Sequence, residues 1–189
     1  MQTIDLSHPI GPDMPLYPGT PRPRIEPSRS LAADGYVEHR LTLTTHVGTH
    51  VDAPAHLVDG GRPLSEMPAD RFAGRAVVLD PGRLDGGRVT VARLEAAAAS
   101  GRLEGVDFLL LRTGWSERWG EAAYFADFPC LAPAAARWLV DRGVRGFGVD
   151  CISVDPMDDA DLAVHHALLG AGAVIVENLA NLAALPDEP

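Results

Sequence analysis

The chain has 189 residues, of which 46% are apolar and 22% are charged, and this composition is typical of a globular protein with its own core. Its formal net charge of −10 argues against nucleic acid or an anionic membrane surface as a partner. No signal-peptide pattern opens the chain and no apolar run is long enough to span a membrane, so we expect one cytoplasmic domain over residues 1–189.

The N-terminal thirty residues are rich in proline. Proline removes backbone donors and disfavours helix, so after a short strand candidate at residues 3–6 we predict an extended arm with turns. Such an arm is either a connection laid over the core or one wall of a site. In the second case it would bring Tyr17 and His8 towards a ligand.

Residues 38–51 are predicted to form one strand that leads into the most informative segment of the chain. His46, Gly48, His50 and Asp52 occupy even positions, so an extended backbone places them on one face. A helix would also bring His46 and His50 together, but the valines, threonines and glycine in this segment disfavour it. Pro54 would end the strand, just before His56.

Imidazole and carboxylate groups on one face predict a divalent metal site. Neutral histidine and aspartate are the usual ligands of Zn²⁺, and nitrogen and oxygen donors also suit Mn²⁺. The alternative is a polar strand edge whose histidines bond to nearby backbone. Four potential ligands at even positions favour the metal, namely His46, His50, Asp52 and His56. His56 lies past the strand end, where its side chain can point into a cleft without binding metal.

After an irregular stretch over residues 53–74, apolar strand patterns alternate with helical ones, and this alternation predicts an α/β fold with some parallel pairing. The predicted elements are strands at 76–79, 107–111 and 146–154 and helices at 91–100 and 133–142. Cys130 and Cys151 form no metal-binding or redox motif and are predicted to be buried free thiols.

A second group of candidate ligands lies in residues 161–179. The spacing predicts a helix at 161–169 that turns His165 and His166 inward, followed by a strand at 173–176. Glu177 follows that strand, and a buried carboxylate there needs a partner or a metal. The alternative is an inward histidine bonded to backbone and a glutamate paired with an arginine.

These motifs together resemble one known family. They are Asp5-Leu6-Ser7-His8, Met14-Pro15-Leu16-Tyr17-Pro18-Gly19, His46-x-Gly-Thr-His50-x-Asp52-x-Pro54-x-His56, then His165, and Glu177-Asn178-Leu179. In this order they resemble the metal-dependent cyclase-type hydrolases, which include bacterial kynurenine formamidase and isatin hydrolase. The resemblance implies a swivelling β/α/β-type fold with a mixed sheet, and homodimers or homotetramers.

The resemblance also implies roles for individual residues. His46, His50 and Asp52 would bind one divalent ion, and His165 and Glu177 would complete a second site. Asp52 and Glu177 would then reach both ions, whether Zn²⁺ or Mn²⁺. His56 would be the acid/base residue, and Tyr17 would contact the substrate.

His165 is preferred to His166 because it lies twelve residues before Glu177, as in the formamidases. Formamidases of this type carry tryptophan at the position of Tyr17, and this difference weakens the assignment of a kynurenine substrate.

Three functions are therefore open at the level of sequence. The first is an arylformamidase that cleaves the C–N bond of a small aromatic N-formyl amide of the N-formylkynurenine type. The second is a hydrolase of cyclic amides such as isatin. The third is a non-enzymatic metal-binding protein, which a spare His56 beside the ligands disfavours, since structural zinc sites are closed.

Overall fold

The structure is a computed structural model and describes residues 3–186. Its first regular elements form a hairpin, in which strand β1 (Arg24–Arg29) pairs antiparallel with strand β2 (Glu38–Thr42). A short helix, α1 (Leu31–Asp34), lies in the connection. All residues of both strands are exposed, so the hairpin contributes nothing to the core.

Seven further strands follow among the described residues. They are β3 (His50–Asp52), β4 (Ala76–Leu79), β5 (Arg88–Val89), β6 (Phe108–Leu111), β7 (Cys130–Leu131), β8 (Gly146–Val149) and β9 (Val174–Glu177). Five of them form a mixed sheet in the order β3-β9-β8-β6-β4. Within it β9, β8, β6 and β4 are parallel, and β3 is antiparallel to β9. Strands β5 and β7 form a separate parallel pair.

Three longer helices cover the sheet, namely α2 (Val91–Ala99), α3 (Pro133–Val140) and α4 (Ala163–Gly170). Pro133 begins α3, where its missing N–H costs nothing. The central strands β6 and β8 are short and almost wholly buried, as expected for parallel strands that are covered by helices. The predicted α/β fold with a mixed sheet is confirmed.

Most predicted elements exist with shifted ends. Strand β4 has the predicted bounds, and the strand predicted at 146–154 ends at Val149. The helix predicted at 161–169 begins only at Ala163, because Leu162 adopts a left-handed backbone conformation. Cys130 and Cys151 are buried free thiols, as predicted.

The prediction of one strand over residues 38–51 is wrong, since β2 and β3 are separated by a bent segment at 43–49. Gly48 turns the chain there with a φ of 61°. Tertiary hydrogen bonds replace a strand ladder: the Gly48 carbonyl accepts from the Asn178 side chain, and the Thr49 hydroxyl donates to the Asn178 carbonyl. Leu41 and Leu43, apolar residues of the segment predicted as strand, are exposed.

The strand candidate at residues 3–6 is also wrong, although its backbone is held in place: Ala180 donates to the Leu6 carbonyl and the Asn181 side chain donates to the Asp5 carbonyl. From residue 3 up to β1 the arm is free of helix, as predicted, but the pairing of β1 with β2 was not foreseen. Pro27 lies within β1, which is an edge strand and tolerates the missing donor. Within the described residues no helix is long and apolar enough to cross a membrane.

Candidate metal centre

Candidate ligands from three parts of the chain meet at one end of the sheet. His50 opens β3 and lies opposite Glu177, the last residue of β9, in the antiparallel register. Asp52 lies two residues further along β3 and therefore on the same face as His50. His46 reaches the cluster from the bent segment, and His165 reaches it from α4.

The first group consists of His46, His50 and Asp52. The Nδ1 atom of His46 lies 2.7 Å from Oδ1 of Asp52, and Nε2 of His50 lies 3.3 Å from the same oxygen. The two imidazoles are 3.1 Å apart, measured from His50 Nε2 to His46 Nδ1. Three ligand atoms thus converge on one point.

The second group consists of Asp52, His165 and Glu177, all of them buried. His165 Nε2 lies 3.3 Å from Glu177 Oε1 and 3.9 Å from Asp52 Oδ2. Glu177 Oε2 is also 3.8 Å from His50 Nε2, so this carboxylate lies between the two groups. Asp52 belongs to both groups, with one oxygen directed to each.

The environment of Asp52 fits a cation better than a purely hydrogen-bonded cluster. Only 1% of the residue is exposed, yet neither carboxylate oxygen accepts a hydrogen bond of ordinary geometry from the described residues. A buried carboxylate without donors is costly unless a positive charge offsets it. Each group brings three ligand atoms within 4.8 Å of one another, and the mixed nitrogen and oxygen donors are those of Zn²⁺ and Mn²⁺ sites.

The electrostatics of the first group agree with this assignment. Burial raises the pKa of the Asp52 carboxyl, but His46 and His50 lower it more, so its pKa lies below the usual value. Burial lowers the pKa of His50, whereas Asp52 and Glu177 raise it to a greater extent. The carboxylate charge therefore persists at neutral pH and attracts a cation or a proton.

Asp155 fixes the orientation of His165. Its Oδ2 lies 2.7 Å from His165 Nδ1, and its two oxygens accept the backbone N–H groups of Val164 and His165. The ring therefore directs Nε2 at Glu177 and Asp52. Burial lowers the pKa of His165, but Asp155 and Glu177 outweigh burial and raise that pKa to about 10.

His56 lies beside both groups and belongs to neither. It ends the short helical turn Pro54–His56 directly after β3, and its ring stacks on His46 with centroids 3.9 Å apart. Partial burial lowers the pKa of His56 below its usual value, Asp52 opposes that shift, and His46 adds to it. At neutral pH the imidazole is therefore uncharged and able to accept a proton.

A cavity of about 620 Å³ opens onto these groups. Residues 15–21 of the proline-rich arm form one wall, and His56, His165 and Glu177 line another. Tyr17 lines this cavity, whereas His8 stacks on Trp119 with ring centroids 3.9 Å apart and does not line it. The arm is thus a wall of the site.

Sequence reasoning was wrong about one side chain and missed another. His165 is buried in the second group, whereas the adjacent His166 is exposed, so only one of the two histidines faces inward. The role of Asp155, which directly follows the strand predicted at 146–154, was not foreseen. A carboxylate among Val154 and Pro156, in a run of buried residues, was the signal that it needed a partner.

Comparisons with known proteins agree with this fold. Residues 4–156 match the model of the cyclase family, described as putative cyclase. The chain is 37% identical over 180 residues to kynurenine formamidase from Bacillus mycoides (strain KBAB4), covering 94% of this chain and 82% of that one.

Solved structures show the same similarity. Isatin hydrolase A from Labrenzia aggregata superimposes with a TM-score of 0.86 at 31% identity, covering 98% of this chain and 83% of that one. A potential metal-dependent hydrolase with cyclase activity superimposes with a TM-score of 0.76 at 30% identity, covering 97% and 83%.

The mixed α/β fold, the histidine–carboxylate cluster and these relatives define a hydrolase with a candidate metal centre. The chain belongs to the cyclase family. The resemblance found in the sequence is therefore confirmed, and so is the prediction of an enzyme that hydrolyses amides.

Proposed function

We propose that the protein cleaves the C–N amide bond of a small aromatic substrate and is an arylformamidase of the N-formylkynurenine type. Asp52 carries this proposal, because neither of its buried oxygens accepts a hydrogen bond of ordinary geometry from the described residues, and the two oxygens face histidines from two directions. The identity to kynurenine formamidases, at 36–37% over more than nine-tenths of the chain, supports the choice of substrate.

His46, His50 and Asp52 would hold one Zn²⁺ or Mn²⁺ ion, and Asp52, His165 and Glu177 would hold a second. Such an ion supplies Lewis acidity, which activates water and polarises an amide carbonyl. One or two ions would bind per chain, because Asp52 belongs to both groups of candidate ligands.

His56 is the proposed general base and acid. Its neutral imidazole takes a proton from the attacking water, and the water oxygen bonds to the amide carbonyl carbon. As the C–N bond breaks, the same imidazole returns the proton to the leaving nitrogen. For a formyl amide the products are the free arylamine and formic acid, which releases its remaining proton to solvent and becomes formate at neutral pH.

Tyr17 and the proline-rich arm would hold the aromatic ring of the substrate. Tyr17 is 44% exposed and lines the same cavity as His46 and His56. A ring against that wall would leave its amide directed at the histidine–carboxylate cluster.

A second candidate activity is hydrolysis of a cyclic amide of the isatin type. The observation in its favour is the TM-score of 0.86 to isatin hydrolase A over 98% of this chain. The same residues would act, but the leaving nitrogen would stay attached to the product. A purely structural metal site is disfavoured, because His56 lies beside the candidate ligands but belongs to neither group, and because the relatives are enzymes.

We further propose a homodimer or homotetramer in the cytoplasm. The hairpin supports self-association, since Ile25 and Leu41 pair across its strands and both are exposed. Leu31, Tyr36 and Val37 extend this apolar surface at the tip of the hairpin.

Hydrolysis of N-formylkynurenine and of isatin should be measured side by side, with protein stripped of metal and reloaded with Zn²⁺ or Mn²⁺. Fast, metal-dependent release of kynurenine would support the arylformamidase. Hydrolysis of isatin alone would favour the cyclic-amide activity. Asp52→Ala should lose bound metal and activity together, and full activity in that variant would refute the proposed centre.

A further inference from the structure

Asn178 is a buried polar residue directly after the candidate ligand Glu177, and it lies outside the ligand set. It is 2% exposed and holds a left-handed backbone conformation with a φ of 56°. Asparagine tolerates this conformation better than most residues, but it remains uncommon. The surrounding contacts must therefore hold it there.

The side chain of Asn178 joins two distant parts of the chain. Its Nδ2 donates to the Gly48 carbonyl at 3.0 Å, and its Oδ1 lies 2.8 Å from the Tyr124 hydroxyl. A carbonyl can only accept, so the amide NH₂ must face Gly48 and the amide oxygen must face Tyr124. The Tyr124 hydroxyl is consequently the donor in the second bond.

The Gly48 carbonyl also contacts His50. The Nδ1 atom of His50 lies 2.9 Å from this oxygen, which again can only accept. The proton of a neutral His50 ring must therefore be on Nδ1. The lone pair is then on Nε2, which faces Asp52 at 3.3 Å and Glu177 at 3.8 Å.

Tyr124 anchors this series of hydrogen bonds in the hydrophobic core. The residue is fully buried, and its ring packs edge-on against Trp119 and Phe125. Burial raises the pKa of its phenol, so the hydroxyl remains a donor throughout the physiological range. Tyr124 is thus connected to the candidate ligand His50 by hydrogen bonds through Asn178 and the Gly48 carbonyl.

We propose that Tyr124 and Asn178 are positioning residues, which hold the Gly48 carbonyl in place and thereby orient His50 Nε2 towards the metal. This inference rests on the metal centre proposed above. Gly48 itself sits at a φ of 61° in a bent segment without ladder hydrogen bonds, so the Asn178 amide replaces the support that a strand would supply.

Two variants test the path with little disturbance of the fold. Tyr124→Phe removes one oxygen and keeps the ring, and Asn178→Gly removes the amide while glycine accepts the positive φ without strain. Matched controls exist on the surface. Tyr36→Phe removes an exposed hydroxyl, and Asn181→Gly removes an exposed amide that also has a φ of 56° and donates to a backbone carbonyl.

The first readout is the Zn²⁺ dissociation constant from competition with a chromogenic chelator. Groups that orient a ligand typically contribute about tenfold or more to metal affinity. We expect the dissociation constant to rise about tenfold in Tyr124→Phe and Asn178→Gly, and to stay within twofold of the unmutated value in both controls. Tyr124→Phe remains informative where Asn178→Gly does not fold.

The second readout is the tautomer of His50 in the metal-free protein, from long-range ¹H–¹⁵N spectra of ¹⁵N-histidine-labelled samples recorded at a pH at which the His50 ring is neutral. The proposal expects a single Nδ1–H form in the unmutated protein and a mixture of forms in the two variants. Unchanged affinity together with an unchanged tautomer would overturn it. If the unmutated protein itself binds neither Zn²⁺ nor Mn²⁺, the proposed centre fails; if it binds and the variants bind equally well, only the positioning role fails.

Discussion

The chemistry of the site depends on how each residue divides its polar atoms between the protein and the cavity. The Nδ1 atom of His165 contacts Asp155, and the Nδ1 atom of His50 contacts the Gly48 carbonyl. In both rings Nε2 therefore faces the candidate metal centre. His56 differs, because its ring stacks on His46 and contributes to neither group of candidate ligands. This difference separates the proposed ligands from the proposed acid/base residue.

Replacing His56 with alanine should lower kcat by roughly 10²–10⁴-fold, the usual contribution of general acid–base catalysis. Bound metal should stay unchanged, because His56 is outside both ligand groups. The check is steady-state kinetics together with metal analysis of the same sample, with exposed His166→Ala as the control. Loss of metal in His56→Ala would make His56 a ligand instead.

Replacing Asp155 with asparagine should weaken metal binding by roughly 10–100-fold. The carboxylate orients His165 through a 2.7 Å contact, and the amide loses the negative charge that favours this arrangement. Metal affinity of the apoprotein is the measurement, and Asp158→Asn, at an exposed position, is the control. Equal affinity in the two variants would contradict the orienting role.

At the scale of elements, β3 and the turn that follows it carry most of the site. Strand β3 supplies His50 and Asp52, and the turn Pro54–His56 supplies the proposed base. This turn is held by a neighbouring loop, since Ala55 donates to the Arg62 carbonyl. The position of His56 thus depends on close packing of the backbone at Gly61.

Gly61→Ala should destabilise the protein by about 1–3 kcal/mol, the usual cost of overpacking. A Cβ at this position would lie 2.6 Å from the backbone carbonyl of Pro54, so the turn must shift and take His56 with it. We expect a lower unfolding midpoint and a reduced kcat at unchanged metal content.

Gly170→Ala is the matched control, because a Cβ there meets no atom within 4 Å. Its stability and kcat should equal those of the unmutated protein. The same kcat in Gly61→Ala would show that the turn absorbs the added atom without moving His56.

At the scale of the molecule, the mixed sheet positions the candidate site, whereas the exposed hairpin lies apart from it. The sheet gathers the candidate ligands at the end where β9 stops and β3 begins. The hairpin lies outside the core, and its strands have open edges of the kind that commonly pair with other chains. Its apolar residues are the strongest structural support for self-association.

Leu41→Glu should shift the proposed oligomer towards monomer, because it puts a charge opposite Ile25 in the exposed apolar pair. Sedimentation velocity over a range of concentrations is the measurement. Leu64→Glu is the control, since Leu64 is also exposed but lies outside the hairpin. An unchanged oligomer in Leu41→Glu would locate the interface elsewhere.

The sequence alone determined the family, the α/β fold and the five candidate ligands. The family and the ligands follow from residue types at short spacings, and the fold follows from apolar runs that can be read without knowing which segments they contact. The extent of the single domain and the cytoplasmic location stay predictions.

Only the tertiary structure decided how the ligands meet. The regular strand expected through His46 and Gly48 is a bent segment. His46, His50 and Asp52 nevertheless converge, because hydrogen bonds join Gly48 and Thr49 to Asn178, which lies more than a hundred residues away in the chain. The choice of His165 over His166 likewise depends on where α4 begins and which of its faces packs against β9. Short spacings specify which groups are available, whereas contacts between distant segments specify where those groups point.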